Sequence, residues 1–160
     1  MEVSVLTDGG RFTEYLRRAE GWMTIRNYES ADRGQVVALW NEIFPGSTGH
    51  NDPSESIDRK VASKDGLFFV DADGDTIVGT VLAGYDGHRG WLYSLAVSSD
   101  RQRCGIGTKL VRHAEHVLAQ RGCPKLNLQV RADNAAVVAF YESLGYQTEE
   151  RVSMGKLLAN

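Results

Sequence analysis

Cysteine, proline and long apolar runs are all scarce in this chain, and neither sign of charge dominates it. Of 160 residues only two are cysteine and three are proline. Cys104 and Cys123 show neither the Cys-x-x-Cys spacing nor the cysteine–histidine clustering of a metal site, so no metal is expected. No apolar stretch approaches the ~20 residues that cross a bilayer, and no secretory leader is legible. A reducing cytoplasm is the expected home, and a membrane is not an expected partner. With 18 lysines and arginines against 21 acids the formal net charge is −3, which offers nucleic acid no general basic surface. What is there is an ordinary globular composition, 42% hydrophobic, at a length that suits one domain with its own core.

Residues 1–22 read as an extension, because Phe12, Tyr15, Leu16 and Ala19 form one short apolar stripe that Thr7-Asp8-Gly9-Gly10 interrupts. That stripe is free to pack on this subunit or on a neighbour, and a monomer and a homodimer stay equally open. Met23 begins a more regular pattern, and residues 23–160 are the expected domain. Thr24 to Tyr28 alternates as a short strand. Ser30 is a plausible N-cap for a helix with Val36, Leu39, Trp40, Ile43 and Phe44 on one face, ending before Pro45. Asp52-Pro53 pairs an N-cap with a proline at the first helical position for a second helix to about Ser63. Leu67 to Val70 and Thr76 to Leu82 flank Ala72-Asp73-Gly74-Asp75, a hairpin signal, and a third antiparallel strand, Trp91 to Val97, follows the turn Gly84 to Gly90.

The stretch Leu95 to Thr108 then joins that strand's end to a polar turn and a helix, whose apolar residues Ile106, Leu110, Val111, Ala114, Val117 and Leu118 recur at helical spacing. A helix start leaves amide N–H groups without intrahelical partners and carries the positive end of the peptide dipoles. An anion belongs there. Gly105 and Gly107 permit close backbone approach, and Arg101 and Arg103 flank the site with positive charge. A dinucleotide fingerprint would need a third glycine where Leu110 stands, and Gly107-Thr108-Lys109 has the wrong order for a nucleotide triphosphate loop. Cys104, among glycine-rich turn residues, reads as part of the turn rather than as a nucleophile. After the helix, Gly122 and Pro124 mark its end, Leu126 to Val130 alternates as a strand parallel to the one ending at Val97, Asp133 or Asn134 caps a further helix with Gly145 as its stop, and Tyr146 to Met154 reads as a last strand.

Gln102-Arg103-Cys104-Gly105-Ile106-Gly107 resembles the Gln/Arg-x-x-Gly-x-Gly/Ala signature of the GNAT superfamily of N-acetyltransferases. Asn134 and the run Phe140-Tyr141-Glu142-Ser143-Leu144-Gly145-Tyr146 resemble the Asn and Phe-Tyr-x-x-x-Gly-Phe elements that follow at the family's usual distance. The stretches Gly84 to Gly90 and Arg121 to Lys125 are similar to bacterial acetyltransferases of the YpeA type. In two places the motif departs from the family: Arg103 stands for a common glycine and Cys104 for a common basic residue. The resemblance implies the α/β (mixed α+β) acyl-CoA N-acyltransferase fold. That fold has a strongly twisted mixed sheet, an antiparallel meander, a central helix crossing over to a parallel, splayed strand, and helices on both faces.

The resemblance further implies acetyl-CoA as donor, with its diphosphate and pantetheine held by Leu95, Ala96, Val97, Gln102, Arg103, Cys104, Gly105, Ile106, Gly107 and Thr108, and by Asn134 and Tyr141. A backbone N–H near Ala96 or Val97 would polarise the thioester carbonyl, and Tyr141 would protonate the departing sulfur. From helical spacing alone Tyr141 reads as core packing and Asn134 as a cap. For the proton of the attacking amine the sequence offers Tyr93, Asp86 and His88, the last an imidazole in a surface turn. Asn51, Asp52, Tyr85 and Asp86 are acceptor-side residues by loop position, equally readable as plain surface. The expected activity is acetyl transfer to a primary amine, on a small molecule or a protein, by direct attack in a ternary complex. A non-catalytic acyl-CoA sensor on the same fold is the alternative.

Overall fold

The computed structural model describes residues 16–18 and 21–158, so the apolar stripe of residues 12–19 lies almost wholly outside the described part. The described residues fall into two compact units, divided after Leu128.

In the first unit a six-stranded sheet runs in sequence order: β1 (Leu16–Arg18), β2 (Gly21–Asn27), β3 (Phe68–Asp73), β4 (Thr76–Tyr85), β5 (Gly90–Val97) and β6 (Leu126–Asn127). Successive pairs are antiparallel except the last, where β6 lies parallel to β5. The crossover that makes this possible is α3 (Ile106–Gln120), and α1 (Arg33–Ile43) and α2 (Pro53–Ala62) connect β2 to β3. The side-chain alternation of β3 divides the faces. Phe68, Val70 and Ala72 join Val36, Leu39 and Trp40 of α1 and Ile57 of α2 in one core, while Phe69 meets His113 of α3 edge-on at 4.7 Å on the other face.

Local chemistry sets the boundaries. Asp52 caps α2 through Glu55 N–H at 3.1 Å, with Pro53 at the first helical position, as the sequence suggests. The start of α1 differs: Glu29 and Asp32 form a reciprocal capping box around one 3-10 turn, so α1 begins at Arg33 rather than directly after Ser30. Arg26 grips Asp32 with both guanidinium nitrogens, at 2.7 and 2.8 Å, and holds its carboxyl below the usual range. α3 buries Ile106, Leu110, Val111, Ala114 and Leu118 against the sheet, with roughly 1.5–3 kcal/mol for each large side chain. Gly79 lets it sit so close, since a Cβ there would stand 2.8 Å from Ile106 Cγ2 and 2.9 Å from Leu110 Cδ1.

Two expected strands are shorter or missing. β6 holds only two residues of the expected 126–130, pairing Gly90 with Leu126 and Trp91 with Asn127 before the ladder ends. In the second unit Asn134 caps α4 (Ala135–Ser143) through Val137 N–H at 3.2 Å, and Gly145 turns the chain at φ +95°. Residues 146–154 form no ladder there, and a Gln129–Ser153 side-chain bond of 2.6 Å ties them to the chain before α4. Alternation predicts a strand's faces but not whether a partner supplies hydrogen bonds.

Candidate active site

Between Thr80↔Ala96 and Leu82↔Tyr93 the β4–β5 register slips, so one residue of β4 faces two of β5. Ser94 sits in this bulge at φ +50°, a left-handed conformation that a non-glycine residue adopts only when its surroundings impose it. The imposing contacts are visible. Thr80, fully buried, donates to the Ser94 carbonyl at 3.3 Å and accepts from Trp40 Nε1 at 2.8 Å, so α1 braces the bulge through the sheet. On its other edge β5 is paired only at Gly90 and Trp91, and from Leu92 to Val97 no described strand lies against it.

Beyond Val97 the chain makes a 3-10 turn over Ser99–Arg101, and α1 and β3 hold it from below. Glu42 accepts the Ser99 N–H at 2.9 Å; bonds from the Ser99 hydroxyl and amide keep its carboxyl below the usual range. Asp73 pairs with Arg101 at 3.0 Å. Gln102 folds back to the Val97 carbonyl at 3.2 Å. Arg103 then takes φ +63°, which explains why its position suits a glycine, and Gly105 takes φ +82° as the residue that opens α3. No side chain caps that helix. The first helical bond runs from Lys109 N–H to the Gly105 carbonyl at 3.1 Å, leaving the amides of residues 106–108 directed out of the helix end. Ile106 is buried and Ala96 is buried, so the backbone on both sides of the turn is anchored while Gln102 to Gly105 stand exposed. A preorganised, open and positive backbone surface of this kind suits a diphosphate.

Of the other predicted residues, Tyr93 lies one position before the bulge, half-exposed, with the Lys60 ammonium 5.6 Å from its ring centre. Lys60 is itself buried, paired with Asp65 at 2.6 Å and donating to the Ala83 carbonyl. Tyr85, Asp86 and His88 are brought together at the opposite end of β5, roughly 20 Å from Val97 at ~3.3 Å per strand residue. There Asp86 accepts the amides of His88 and Arg89, both at 2.7 Å, which lowers its pKa, and the Tyr85 hydroxyl donates to Gly122 at 3.1 Å. Asn51 ends a 3-10 turn, and Asp52 spends its carboxylate on capping α2. In the second unit the Tyr141 ring is buried, edge-on to Phe140 and Tyr146 at 5.0 and 5.4 Å. Its hydroxyl has no hydrogen-bond partner among the described residues, and burial pushes its pKa up to about 12. Asn134 spends its side-chain oxygen on the α4 cap.

Sequence reasoning missed the residues that brace the site: Thr80, Glu42, Asp73, Lys60 and Asp65. One signal was present. A tryptophan on a buried helix face, Trp40, needs a partner for its indole N–H, and a threonine in an apolar strand can supply it.

A mixed sheet with a central crossover helix, a bulged strand and an uncapped helix start defines an acyl-CoA acyltransferase fold. Residues 34–146 match the Acetyltransferase (GNAT) family. A protein of Yersinia pestis (strain Pestoides F) named acetyltransferase is 43% identical over 139 residues, 85% of this chain and 96% of that one. The chain belongs to the GNAT acetyltransferase family. Among solved structures, the ribosomal-protein-S18-alanine N-acetyltransferase of Escherichia coli superposes with a TM-score of 0.64 at 28% identity, over 77% of this chain and 76% of that one. A PaiA N-acetyltransferase of Thermoplasma acidophilum, solved in complex with coenzyme A, gives 0.70 at 18% identity over 81% and 92%, a likeness of fold. Among the described residues no helix is long and apolar enough to cross a membrane, and no cluster of His, Cys, Asp and Glu could hold a metal ion.

Proposed function

We propose that this chain transfers an acetyl group from acetyl-CoA to a primary amine by direct attack in a ternary complex, in the cytoplasm, as a monomer or homodimer. In this reading residues 23–160 are the transferase domain, and β1 (Leu16–Arg18) and the start of β2 add to its sheet. The observation that carries the reading is the uncapped start of α3 directly after a braced bulge in β5, within a member of this family. When bound, acetyl-CoA supplies a thioester already reactive enough to need no metal and no covalent nucleophile. The amides of Gly105 to Thr108 hold its diphosphate, with Gln102, Arg103 and Cys104 shaping the turn. The open edge of β5 at Leu95, Ala96 and Val97 offers backbone hydrogen bonds to the pantetheine, and an amide there polarises the acetyl carbonyl. Asn134 adds a further cofactor contact. Tyr93 relays the amine proton, directly or through water, and Tyr141 donates its hydroxyl proton to the departing sulfur. A phenol pushed up to about 12 is fully protonated at neutral pH, as that acid role requires. The structure assigns Tyr85 and Asp86 visible work in holding the hairpin and Asp52 in capping α2, and His88 stands at that same far end of β5.

The test is release of free thiol from acetyl-CoA against a panel of small amines, polyamines and peptides with free N-termini. Turnover with at least one amine is expected. Tyr141→Phe should then lower kcat by roughly 10²–10⁴ with coenzyme A affinity little changed. Tight cofactor binding with no turnover on any acceptor would favour a sensor, and full turnover by the Tyr141→Phe variant would remove the acid role.

A further inference from the structure

Asp71 on β3 is 1% exposed, and neither carboxylate oxygen has a hydrogen-bond partner. It lies directly opposite Gly79 on β4, the residue on which Ile106 and Leu110 of α3 rest, so its carboxyl sits beneath the first turn of the helix. A buried carboxylate normally finds partners, because stranding one is costly. The charged groups around it are few. Lys109, in that first turn, attracts it; Asp73, two residues along β3 and paired with Arg101 of the turn, repels it; His113 stands one helical turn further on, against Phe69. Its strand neighbours Ile25 and Gly79 carry no charge. Two β3 carboxylates thus underlie the cradle and engage two of its cations, Arg101 and Lys109. An anion at the α3 N-terminus competes for those cations and adds negative charge above a carboxylate that has nothing else to stabilise it.

We propose that Asp71 is a proton-linked positioning residue of the cradle, taking up a proton from solvent when a diphosphate occupies the start of α3 and releasing it when the site empties. The inference rests on the coenzyme A reading of that site. In the empty protein burial raises the Asp71 pKa to about 6, so the group is mostly ionised at neutral pH and able to respond. A complex that binds a proton more tightly than the free protein is favoured as pH falls. Affinity for the diphosphate is therefore highest near pH 6 and declines toward pH 8, and neutralising Asp71 leaves Lys109 to the ligand.

Dephospho-coenzyme A is the probe, since it keeps the diphosphate and lacks the phosphomonoester that titrates in the same range. Calorimetric titrations from pH 6 to pH 8, in pairs of buffers with different ionisation enthalpies, report affinity and protons taken up together. Wild-type protein should lose up to about tenfold in affinity for each pKa unit that the bound anion adds to Asp71, with net proton uptake at pH 7. Asp71→Asn should flatten the profile and abolish the uptake. Equal pH profiles in the two proteins, or no proton uptake by the wild type, would overturn the inference and leave the cofactor reading standing. Failure of both proteins to bind the probe at any pH would overturn that reading and the inference with it. If the variant does not fold, the wild-type buffer pairs decide the matter alone.

Discussion

The two ends of β5 are held in place by opposite means. At the Gly90 end the backbone is satisfied: Asp86 caps two amides of the turn, Tyr85 reaches the Gly122 carbonyl, and the Gly90 N–H donates to the Lys125 carbonyl at 2.9 Å, backbone to backbone. At the Val97 end, side chains brace the chain from beneath and leave the outer donors unspent. Trp40 and Thr80 hold the bulge, Glu42 and Asp73 hold the turn, and nothing caps α3. A fold spends its hydrogen bonds wherever only stability is at stake. Rigidly held donors left facing outward distinguish the end at which the proposed function places coenzyme A.

Thr80→Val gives the largest expected change. It keeps the shape but strands the Trp40 indole N–H and the Ser94 carbonyl, at about 1–3 kcal/mol for each buried unpartnered group. With the bulge free to relax, turnover should drop by roughly 10²-fold, the usual cost of one mispositioned donor, with the coenzyme A Kd nearly unchanged. Unchanged kcat in a thiol-release assay would separate the bulge from the chemistry.

Asp71→Asn tests what lies beneath the Val97 end. Because the folded-state pKa of Asp71 is raised from 3.8 to about 6, the native state binds this proton more tightly than the unfolded chain does. Stability from this group is fully present below about pH 4 and is lost as pH rises through 6. The variant should therefore be more stable than wild type at pH 7, by up to about 3 kcal/mol, with the gain gone near pH 4. Urea denaturation at the two pH values checks this, and a variant less stable at both would mean that Asp71 has a stabilising partner.

The smallest effect belongs to the Gly90 end. Asp86→Ala should loosen the hairpin and lower Tm slightly, yet leave the coenzyme A Kd and turnover at wild-type values. A large loss of turnover would make Asp86 part of the chemistry.

Much of this contrast was legible in the chain. The glycine pair, the helix period from Ile106 and the Asp-Gly hairpin signal each depend on neighbours close in sequence, and each appears where expected. Asp52 and Asn134 as caps are equally local. The bulge was not legible, since it arises from a register slip between two strands and is held by Trp40, some 50 residues before Ser94. Nor was the burial of Asp71, an acid between the expected strand 67–70 and its turn that the packing of α3 covers. The expected strand at 146–154 failed for a related reason, because a stretch of sequence carries no information about the partner strand that a ladder needs.

The most direct measurement follows backbone amide resonances during titration with coenzyme A. The account predicts shifts for Ile106, Gly107 and Thr108, whose N–H groups are unspent, and none for His88 and Arg89, whose N–H groups Asp86 already holds. Binding that leaves the first three unmoved, or that shifts only the hairpin pair, would contradict it.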